Sequence, residues 1–303
     1  MSTETVLPIY IIGDTPLAYF LAAKLSLEGE DVRLLGINQN SHSSDSFVIK
    51  DELLSQKSTL HFRIQSVMHE NARMVLICSN PEKIKSDLIY FSRSKTENCP
   101  ILSFCHTIDT DLISKMTNHP IISAYFDGWF KSNTDESLIY FGALQGITIG
   151  ISSRHRYYNL IQETLDRTDI TINFNNNLAQ IFWNYFLLEA ACSFFSLQNG
   201  PHLRDIAKKI SLRQNLNTIL DELLTLVPEK IEINKEQIIN NIYSTPANYK
   251  YPVLTGTVLH KKAELSYLND TIRNLPDYKN EKIPTINAII CQEMKKLLSS
   301  VEQ

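Results

Sequence analysis

The chain has 303 residues, of which 43% are hydrophobic and 20% charged, and its formal net charge is −4. This length is sufficient for two domains of ordinary size. A charge so close to neutral produces no global positive field, so no nucleic acid is expected as a partner. No apolar stretch approaches the length that spans a bilayer, so no membrane is expected as a partner either.

The cysteines and the first residues indicate a cellular compartment. Five cysteines occur without a CxxC pair, and three of them lie inside apolar runs. Such residues are typically buried, reduced thiols, and their spacing predicts no metal site. The opening MSTETVLP is acidic and lacks the basic region of a signal peptide. We therefore expect a cytoplasmic protein.

The first 36 residues have the pattern of a βαβ unit. An apolar run over 6–12 precedes Gly13, a segment with helical spacing covers 16–26, and a second apolar run covers 32–35. This order is typical of the beginning of a dinucleotide-binding domain. The sequence therefore predicts two buried parallel strands joined by a helix.

The pattern continues as alternating strands and helices up to about residue 105. Apolar runs at 74–78 and 101–105 predict interior strands, and 81–92 predicts a crossover helix between them. Short β-rich runs separated by Asp, Gly and Asn follow, which predicts antiparallel strands added to a parallel sheet. These runs cover 120–126, 137–141 and 147–151.

The pattern after residue 172 is helical. Pro284 stands where a helix is expected to begin, as the first turn of helices prefers. We predict a boundary near 170–176, with an α/β domain over 1–172 and an all-α domain over 173–303. Helical spacing covers 178–197, 203–226, 236–242, 257–275 and 285–298.

Several strings in this layout resemble the ketopantoate reductase family. SAYFDGWFKSNTDESLIYFGALQGITIG (123–150) is similar to the β-hairpin region of that family, and NNLAQIFWNYFLLEAACSFFSL (176–197) to the first helix of its second domain. KKAELSYLNDTIRNL (261–275) and KIPTINAIICQEMKKLL (282–298) resemble its Glu-bearing helix and its last helix. The resemblance implies a Rossmann-type N-terminal domain and an all-α C-terminal domain of the 6-phosphogluconate dehydrogenase type.

The resemblance also implies what such a protein binds. It implies NADP or NAD as the cofactor, a small-molecule ligand in the cleft between the domains, and a homodimer that pairs through the helical domain. Carried over onto this sequence, the cofactor-binding positions are Gly13, Asp14, Thr15, Leu17 and Ala18 in the first turn, with Ser79 after the third strand.

The first turn departs from the dinucleotide fingerprint G-x-G-x-x-G/A. Gly13 and Ala18 suit the first and third positions, but Thr15 replaces the glycine that lets the backbone approach the pyrophosphate. Asp14 adds a carboxylate near the phosphates, and Pro16 removes one N–H from the anion-binding set. The same residues also suit an ordinary helix start, with Asp14 or Thr15 as the cap and Pro16 in the first turn.

The position that recognises the ribose has also changed. The family's Arg at the end of the second strand falls near Ile37, and Arg33 lies earlier in that strand. No acidic or basic residue therefore selects NAD over NADP.

The segment that resembles the family's catalytic helix has no Lys at the catalytic position. Tyr185 stands at the Lys position, two residues after Trp183, and Glu189 and Ser193 stand at the Asn positions. Tyr185 can donate a proton, but a phenol is neutral at physiological pH. Glu189 has the wrong sign to face an anionic 2-oxo acid.

Two further residues are candidates for the active site. Glu264 matches the glutamate that holds the substrate hydroxyl in the family, and beside Lys261 and Lys262 it is equally well interpreted as a surface charge. His106, after the fourth strand, is a candidate proton donor or a structural hydrogen-bonding residue.

Three functions stay open. After the fourth strand, where the family has Asn-Gly, this chain reads FCHT (104–107). Because the phosphate turn, the ribose position, this turn and the catalytic Lys all depart together, the sequence predicts a catalytically degenerate relative with weakened or lost NAD(P) binding. The alternative is a working NAD(P)H-dependent reductase of a 2-oxo acid or related carbonyl compound with a rebuilt active site, using Tyr185 or His106 as the acid and Glu264 to orient the substrate. The third is a sensor whose cleft closes on a different ligand.

Overall fold

The computed structural model describes most of the chain and divides it into two compact units. Unit 1 is Met1–Leu178 and unit 2 is Ala179–Gln303. The described residues are 7–35, 46–51, 56–61, 63–65, 68, 71–79, 83, 87, 99–104, 120–132, 137–200, 203, 206, 209–246, 249–251, 254, 258–275 and 278–299.

The described strands all belong to unit 1. They are β1 (Ile9–Ile12), β2 (Val32–Leu35), β3 (Ser46–Asp51), β4 (Gln56–His61), β5 (Arg63–Gln65), β6 (Met74–Ile77), β7 (Ile101–Ser103), β8 (Ile121–Ser132), β9 (Ser137–Ile149) and β10 (Ile172–Phe174).

The helices follow in chain order. They are α1 (Pro16–Leu27), α2 (Tyr158–Leu165), α3 (Leu178–Asn199), α4 (Ile210–Leu224), α5 (Lys235–Tyr243), α6 (Val258–Arg273) and α7 (Pro284–Ser299). Among the described residues, none of the helices combines the length and apolar character needed to cross a bilayer.

The sheet has a doubly wound, parallel centre. Its strand order is β4-β3-β9-β8-β7-β6-β1-β2-β5, and β10 pairs with β9. The pairs along β5-β2-β1-β6-β7-β8 are all parallel, which is the Rossmann order. The strand order reverses between β1 and β6, so the ligand-binding crevice of such a sheet lies at the carboxyl ends of these two strands.

The central strands have the composition that burial on both faces requires. β1, β2 and β6 read IYII, VRLL and MVLI, and every one of their residues is buried. Strands covered on both faces show continuous apolar runs rather than alternation. Apart from Arg33, the three strands fit this pattern, and the sequence predicts β2 with its observed bounds and β1 and β6 within a few residues of theirs.

Helix α1 packs on one face of the sheet through Phe20. This ring is fully buried and lies 5.6, 5.1 and 4.5 Å, between ring centroids, from Phe126, Phe130 and Tyr140. Those three side chains come from β8 and β9, so the same helix is covered by both the parallel centre and the antiparallel extension of the sheet.

The antiparallel region differs from the prediction in its lengths. The short runs at 120–126, 137–141 and 147–151 belong to two long strands, β8 and β9, whose antiparallel pairing is interrupted by register shifts. Gly142 and Gly146 resemble turn residues in the sequence, but both lie inside β9 with positive φ. The Asp127 carboxylate accepts hydrogen bonds from Leu144 N (3.1 Å) and Gly146 N (2.8 Å), which stabilises the irregular pairing.

Other elements were not predicted at all. The sequence analysis does not identify β4, β5, β10 or α2, and the crossover helix predicted over 81–92 lies almost entirely outside the described residues. β10 pairs in parallel with β9 and spans the predicted domain boundary at 172.

The helices of unit 2 follow the predicted spacing, except that α4 begins at Ile210 rather than near 203. Two of them have side-chain caps. Asn234 accepts from Gln237 N at 3.1 Å at the start of α5. At the start of α7, the buried carboxylate of Glu222 from α4 accepts from Thr285 N (2.9 Å) and Ile286 N (3.0 Å).

Candidate functional site

Gly13 lies in the turn between β1 and α1, at the point where the strand order reverses. Its φ is +121°, a backbone conformation that L side chains rarely adopt. A Cβ at this position would lie 2.7 Å from the carbonyl carbon and oxygen of Cys78 and 2.8 Å from Ser79 N. Gly13 N also donates to Leu35 O at 2.9 Å. The ends of β1 and β6 can therefore approach this closely only because residue 13 is glycine.

Thr15 caps α1 with its own side chain. Its backbone is extended (φ −87°, ψ 159°), and its hydroxyl oxygen accepts from Ala18 N at 3.2 Å. The same hydroxyl donates to Cys78 O at 2.7 Å, which connects the start of the helix to the end of β6. The sequence offers Asp14 or Thr15 as the cap of α1, and in the structure Thr15 is the cap.

The beginning of α1 fits a diphosphate poorly. A Rossmann turn presents backbone N–H groups to the phosphates. Here Pro16 has no N–H, and the N–H of Ala18 is bonded to Thr15. Leu17, another predicted cofactor contact, is partly buried and packs against the core of unit 1.

Asp14 forms an ion pair across the crevice of unit 1. Its Oδ2 lies 2.6 Å from Nζ of Lys83, which follows β6. The Asp14 side chain is 20% exposed and that of Lys83 is 44% exposed. The turn is therefore less negative than Asp14 alone implies, because the Lys83 ammonium group compensates the carboxylate.

The described residues near the ribose position offer no cofactor selector. Arg33 is buried and donates to the Asp31 carboxylate at 2.8 Å, so its charge is used at the amino end of β2. Its guanidinium also lies 3.4 Å from the Tyr10 hydroxyl. Ser79, predicted to contact the cofactor, is buried beside Gly13. Ile37 and His106 lie outside the described residues.

In unit 2, the residues predicted to stand at the positions of the family's catalytic Lys and Asn lie on α3. Tyr185 and Glu189 are partly exposed, and Ser193 is buried. Trp183 is buried beside them, and its ring makes edge contacts with Phe182 and Phe186. The i, i+4 spacing therefore keeps 185, 189 and 193 on one face of α3, with the surrounding aromatic residues holding the helix in the core of unit 2.

Tyr249, which the sequence analysis did not single out, lies close to the carboxylates of Glu189 and Glu264. Burial raises the pKa of its phenol, and electrostatic interactions with Glu189, Cys192 and Glu264 raise it further. Glu189 on α3 and Glu264 on α6 therefore act on the same hydroxyl. This phenol remains protonated at physiological pH and supplies no positive charge.

A second tyrosine extends this cluster. Tyr251 is buried, its hydroxyl interacts with the Cys192 thiol, and its ring centroid lies 5.1 Å from that of Tyr249. Burial raises the pKa of Cys192 to about 12, so the thiol is protonated and unreactive. We call the group formed by Glu189, Cys192, Tyr249, Tyr251 and Glu264 the tyrosine cluster.

The tyrosine cluster has only a weak sequence signal. Tyr249 and Tyr251 lie in the string NYKYP between two helices, which is typical of an exposed loop. Their alternation with Lys250, which is exposed, is the one feature that indicates that the two tyrosine side chains lie on a common side; Tyr251 is buried there and Tyr249 is partly exposed. Within the described part of the chain, no group of three or more His, Cys, Asp and Glu side chains is arranged to hold a metal ion.

Comparison with known proteins adds evidence at the level of structure. Neither a scan against protein-family models nor a search of curated protein sequences finds a match. Solved structures do match along nearly the whole chain. A ternary complex of D-mandelate dehydrogenase with NADH and anilino(oxo)acetate has a TM-score of 0.80 at 12% identity, covering 96% of this chain and 99% of that one.

Two ketopantoate reductases are also similar. The enzyme from Ralstonia eutropha JMP134 has a TM-score of 0.75 at 12% identity, covering 98% of this chain and all of its own. A dimeric ketopantoate reductase from Staphylococcus aureus has a TM-score of 0.68 at 10% identity, covering 96% of this chain and all of its own. The resemblance predicted from the sequence is confirmed at the level of fold: the chain has the ketopantoate reductase fold, with a Rossmann-type α/β domain followed by a helical domain of the 6-phosphogluconate dehydrogenase type.

Proposed function

We propose that this protein is a catalytically degenerate relative of the ketopantoate reductases in which NAD(P) binding is weakened or lost. One observation carries the proposal: the Thr15 hydroxyl accepts a hydrogen bond from Ala18 N and donates one to Cys78 O. The helix start is therefore satisfied by the protein itself. With Pro16 lacking an N–H, fewer donors are left for a diphosphate than in a G-x-G-x-x-G turn.

The residues in unit 2 support the same proposal. Hydride transfer to a 2-oxo acid places negative charge on the carbonyl oxygen, which a nearby cation stabilises. Tyr185 and Tyr249 are phenols, and the two carboxylates near Tyr249 are negative. An anionic substrate would meet negative charge and no compensating cation from these residues, so the family's reaction is disfavoured here.

Titration with NADPH and with NADH by calorimetry tests the proposal, with an active ketopantoate reductase as the positive control. We expect no saturable binding of either nucleotide tighter than about 1 mM. A micromolar dissociation constant in the folded protein would contradict the proposal.

One observation favours the second candidate, a working NAD(P)H-dependent reductase with a rebuilt site. Lys83 compensates Asp14, which removes much of the repulsion expected between this turn and a dinucleotide. In this candidate Tyr185 or His106 donates the proton and Glu264 orients the substrate. The Glu189 carboxylate then requires a carbonyl compound that is neutral or cationic at that end. Oxidation of NADPH in the presence of such compounds, but not with ketopantoate, would favour this candidate over the first.

We also propose a cytoplasmic homodimer. The four described cysteines Cys78, Cys99, Cys192 and Cys291 are free thiols, which is typical of a reducing compartment. One similar structure is that of a dimeric enzyme. Light scattering after gel filtration tests the dimer, and a mass of a single chain at micromolar concentration would rule it out.

A further inference from the structure

The ion pair between Asp14 and Lys83 lies at the position where an open α/β sheet binds its ligand. Asp14 follows Gly13 at the carboxyl end of β1, and Lys83 follows the carboxyl end of β6. These two strands border the point where the strand order reverses. Their side chains meet at 2.6 Å, between Asp14 Oδ2 and Lys83 Nζ. The pair therefore spans the crevice of unit 1.

An ammonium group at this position is suited to a phosphate. Lysine is a compact, flexible point charge that binds phosphate oxygens readily. The side chain of Lys83 is 44% exposed, so a solute can reach it. Lys83 is also held by its backbone, because its carbonyl oxygen accepts from Asp87 N at 2.9 Å.

We propose that Asp14 competes within the molecule for the place of a ligand phosphate, so that the Asp14–Lys83 ion pair is an autoinhibitory contact. The carboxylate of Asp14 is paired with the ammonium group that a dinucleotide phosphate would contact. Once that phosphate has taken its place on Lys83, the carboxylate is no longer compensated and repels the phosphate. This inference rests on the proposed weakening of NAD(P) binding and names its electrostatic cause.

The contact is weak enough to be displaced. Ion pairs with partly exposed side chains are screened by salt and are worth little individually. The diphosphate of a dinucleotide carries two negative charges and offers more acceptor oxygens than one carboxylate, so it can replace Asp14 on Lys83 when the nucleotide concentration is high. The turn then binds the nucleotide only when the nucleotide concentration is high, and it is otherwise closed by the Asp14–Lys83 ion pair.

Three variants separate competition from simple repulsion. Asp14→Asn removes both the competitor and the negative charge, Lys83→Gln removes the group that they compete for, and the double variant removes both side-chain charges. Asp31→Asn is the matched control, because it also deletes a carboxylate from an ion pair of unit 1, with Arg33 at the amino end of β2. Circular dichroism and thermal unfolding establish that each variant is folded.

The readout is the NADPH dissociation constant measured by calorimetry at low ionic strength. We expect Asp14→Asn to bind NADPH at least tenfold more tightly than the wild type, and Lys83→Gln to bind no better than the wild type. We expect the double variant to lose most of the gain, and Asp31→Asn to match the wild type. The gain in Asp14→Asn should shrink as sodium chloride is raised, because the Lys83–phosphate contact is screened.

Two results would overturn the inference. One is an Asp14→Asn variant that is folded and binds NADPH no better than the wild type. The other is a double variant that binds as tightly as Asp14→Asn, because Lys83 would then have no part in the gain. Micromolar binding of NADPH by the wild type would contradict the proposed function rather than this inference. The comparison between Asp14→Asn and the double variant would still decide the inference.

Discussion

The hydroxyl of Thr15 lies 2.7 Å from the carbonyl oxygen of Cys78, although the two residues are 63 positions apart in the chain. The same hydroxyl accepts a hydrogen bond from Ala18 N. A single side chain therefore caps α1 and connects it to the end of β6. A dinucleotide-binding turn leaves backbone N–H groups to bind its ligand. In this turn the Thr15 hydroxyl accepts from one such group, the N–H of Ala18.

Replacing Thr15 with valine tests this connection. Valine keeps the shape of threonine but has no hydroxyl, so both hydrogen bonds are lost. We expect the free energy of unfolding to fall by about 1–2 kcal/mol. Urea unfolding followed by circular dichroism measures the change. Thr15→Ser keeps the hydroxyl and should be much closer to the wild type, and a valine variant as stable as serine would show that the hydroxyl contributes nothing.

Gly13 and Gly29 give a matched pair for the close approach of β1 and β6. Both have positive φ, +121° and +82°, but a Cβ on Gly29 would meet nothing within 4 Å. We expect Gly29→Ala to destabilise the protein by about 1–2 kcal/mol through backbone strain alone. Gly13→Ala adds a steric clash with Cys78 and Ser79, so we expect a loss of about 3 kcal/mol or more. Equal losses in the two variants would contradict the proposed packing at the strand ends.

The elements that the sequence predicts best are those with a local physical signal. β6 and α1 are examples, because a continuous apolar run marks a strand buried on both faces, and Thr15-Pro16 marks a helix start. β9 was divided in two because Gly142 and Gly146 have the composition of turns. Their irregular pairing depends on Asp127, which binds across from β8, and no local pattern contains that information.

The sequence predicted individual residues of the candidate site but not which of them pair with one another. Asp14 was identified as a charge near the phosphates, but its partner Lys83 is 69 residues away and reaches it because β1 and β6 are neighbours in the sheet. Tyr249 was missed because its proximity to Glu189 and Glu264 depends on where α3 and α6 lie. Pairings between distant segments follow from the strand order and helix packing, which the periodicity of one sequence does not contain.

Glu222 provides a test of the packing in unit 2. Its buried carboxylate accepts from Thr285 N and Ile286 N, so an anion of α4 caps α7 and interacts favourably with the positive end of its dipole. Glu222→Gln removes the charge and turns an amide N–H₂ toward one backbone N–H. We expect a loss of about 1–3 kcal/mol in the free energy of unfolding.

The neighbouring residue is the control for Glu222. Asp221 has a side chain that is 63% exposed and pairs with Lys235 at 2.5 Å. Because an exposed pair contributes little, Asp221→Asn should cost less than about 1 kcal/mol in the same urea unfolding measurement. A larger effect from Asp221→Asn than from Glu222→Gln would show that the cap is not formed.

The tyrosine cluster predicts how stability depends on alkaline pH. Burial, and then the charges near it, raise the pKa of Tyr249 above the ordinary value of 10, so the folded protein keeps this proton at a pH where the unfolded chain loses it. The unfolded state therefore binds fewer protons, and the free energy of unfolding falls as pH rises above about 10. Below that pH the contribution is constant. One such group accounts for a slope of up to about 1.4 kcal/mol per pH unit.

Tyr249→Phe removes this titration, so the loss of stability between about pH 10 and the pKa of the folded phenol should be smaller in the variant than in the wild type. Urea unfolding at a series of alkaline pH values measures the difference. NMR of ring-labelled tyrosine follows the phenol directly. In Glu264→Gln its ionisation should move to lower pH, because one of the charges that raise the pKa is gone. The exposed Glu163, in α2 of unit 1, is the control: if Glu163→Gln moved the titration as far as Glu264→Gln does, the effect would be one of net charge, and the proximity of Glu264 to Tyr249 would be refuted.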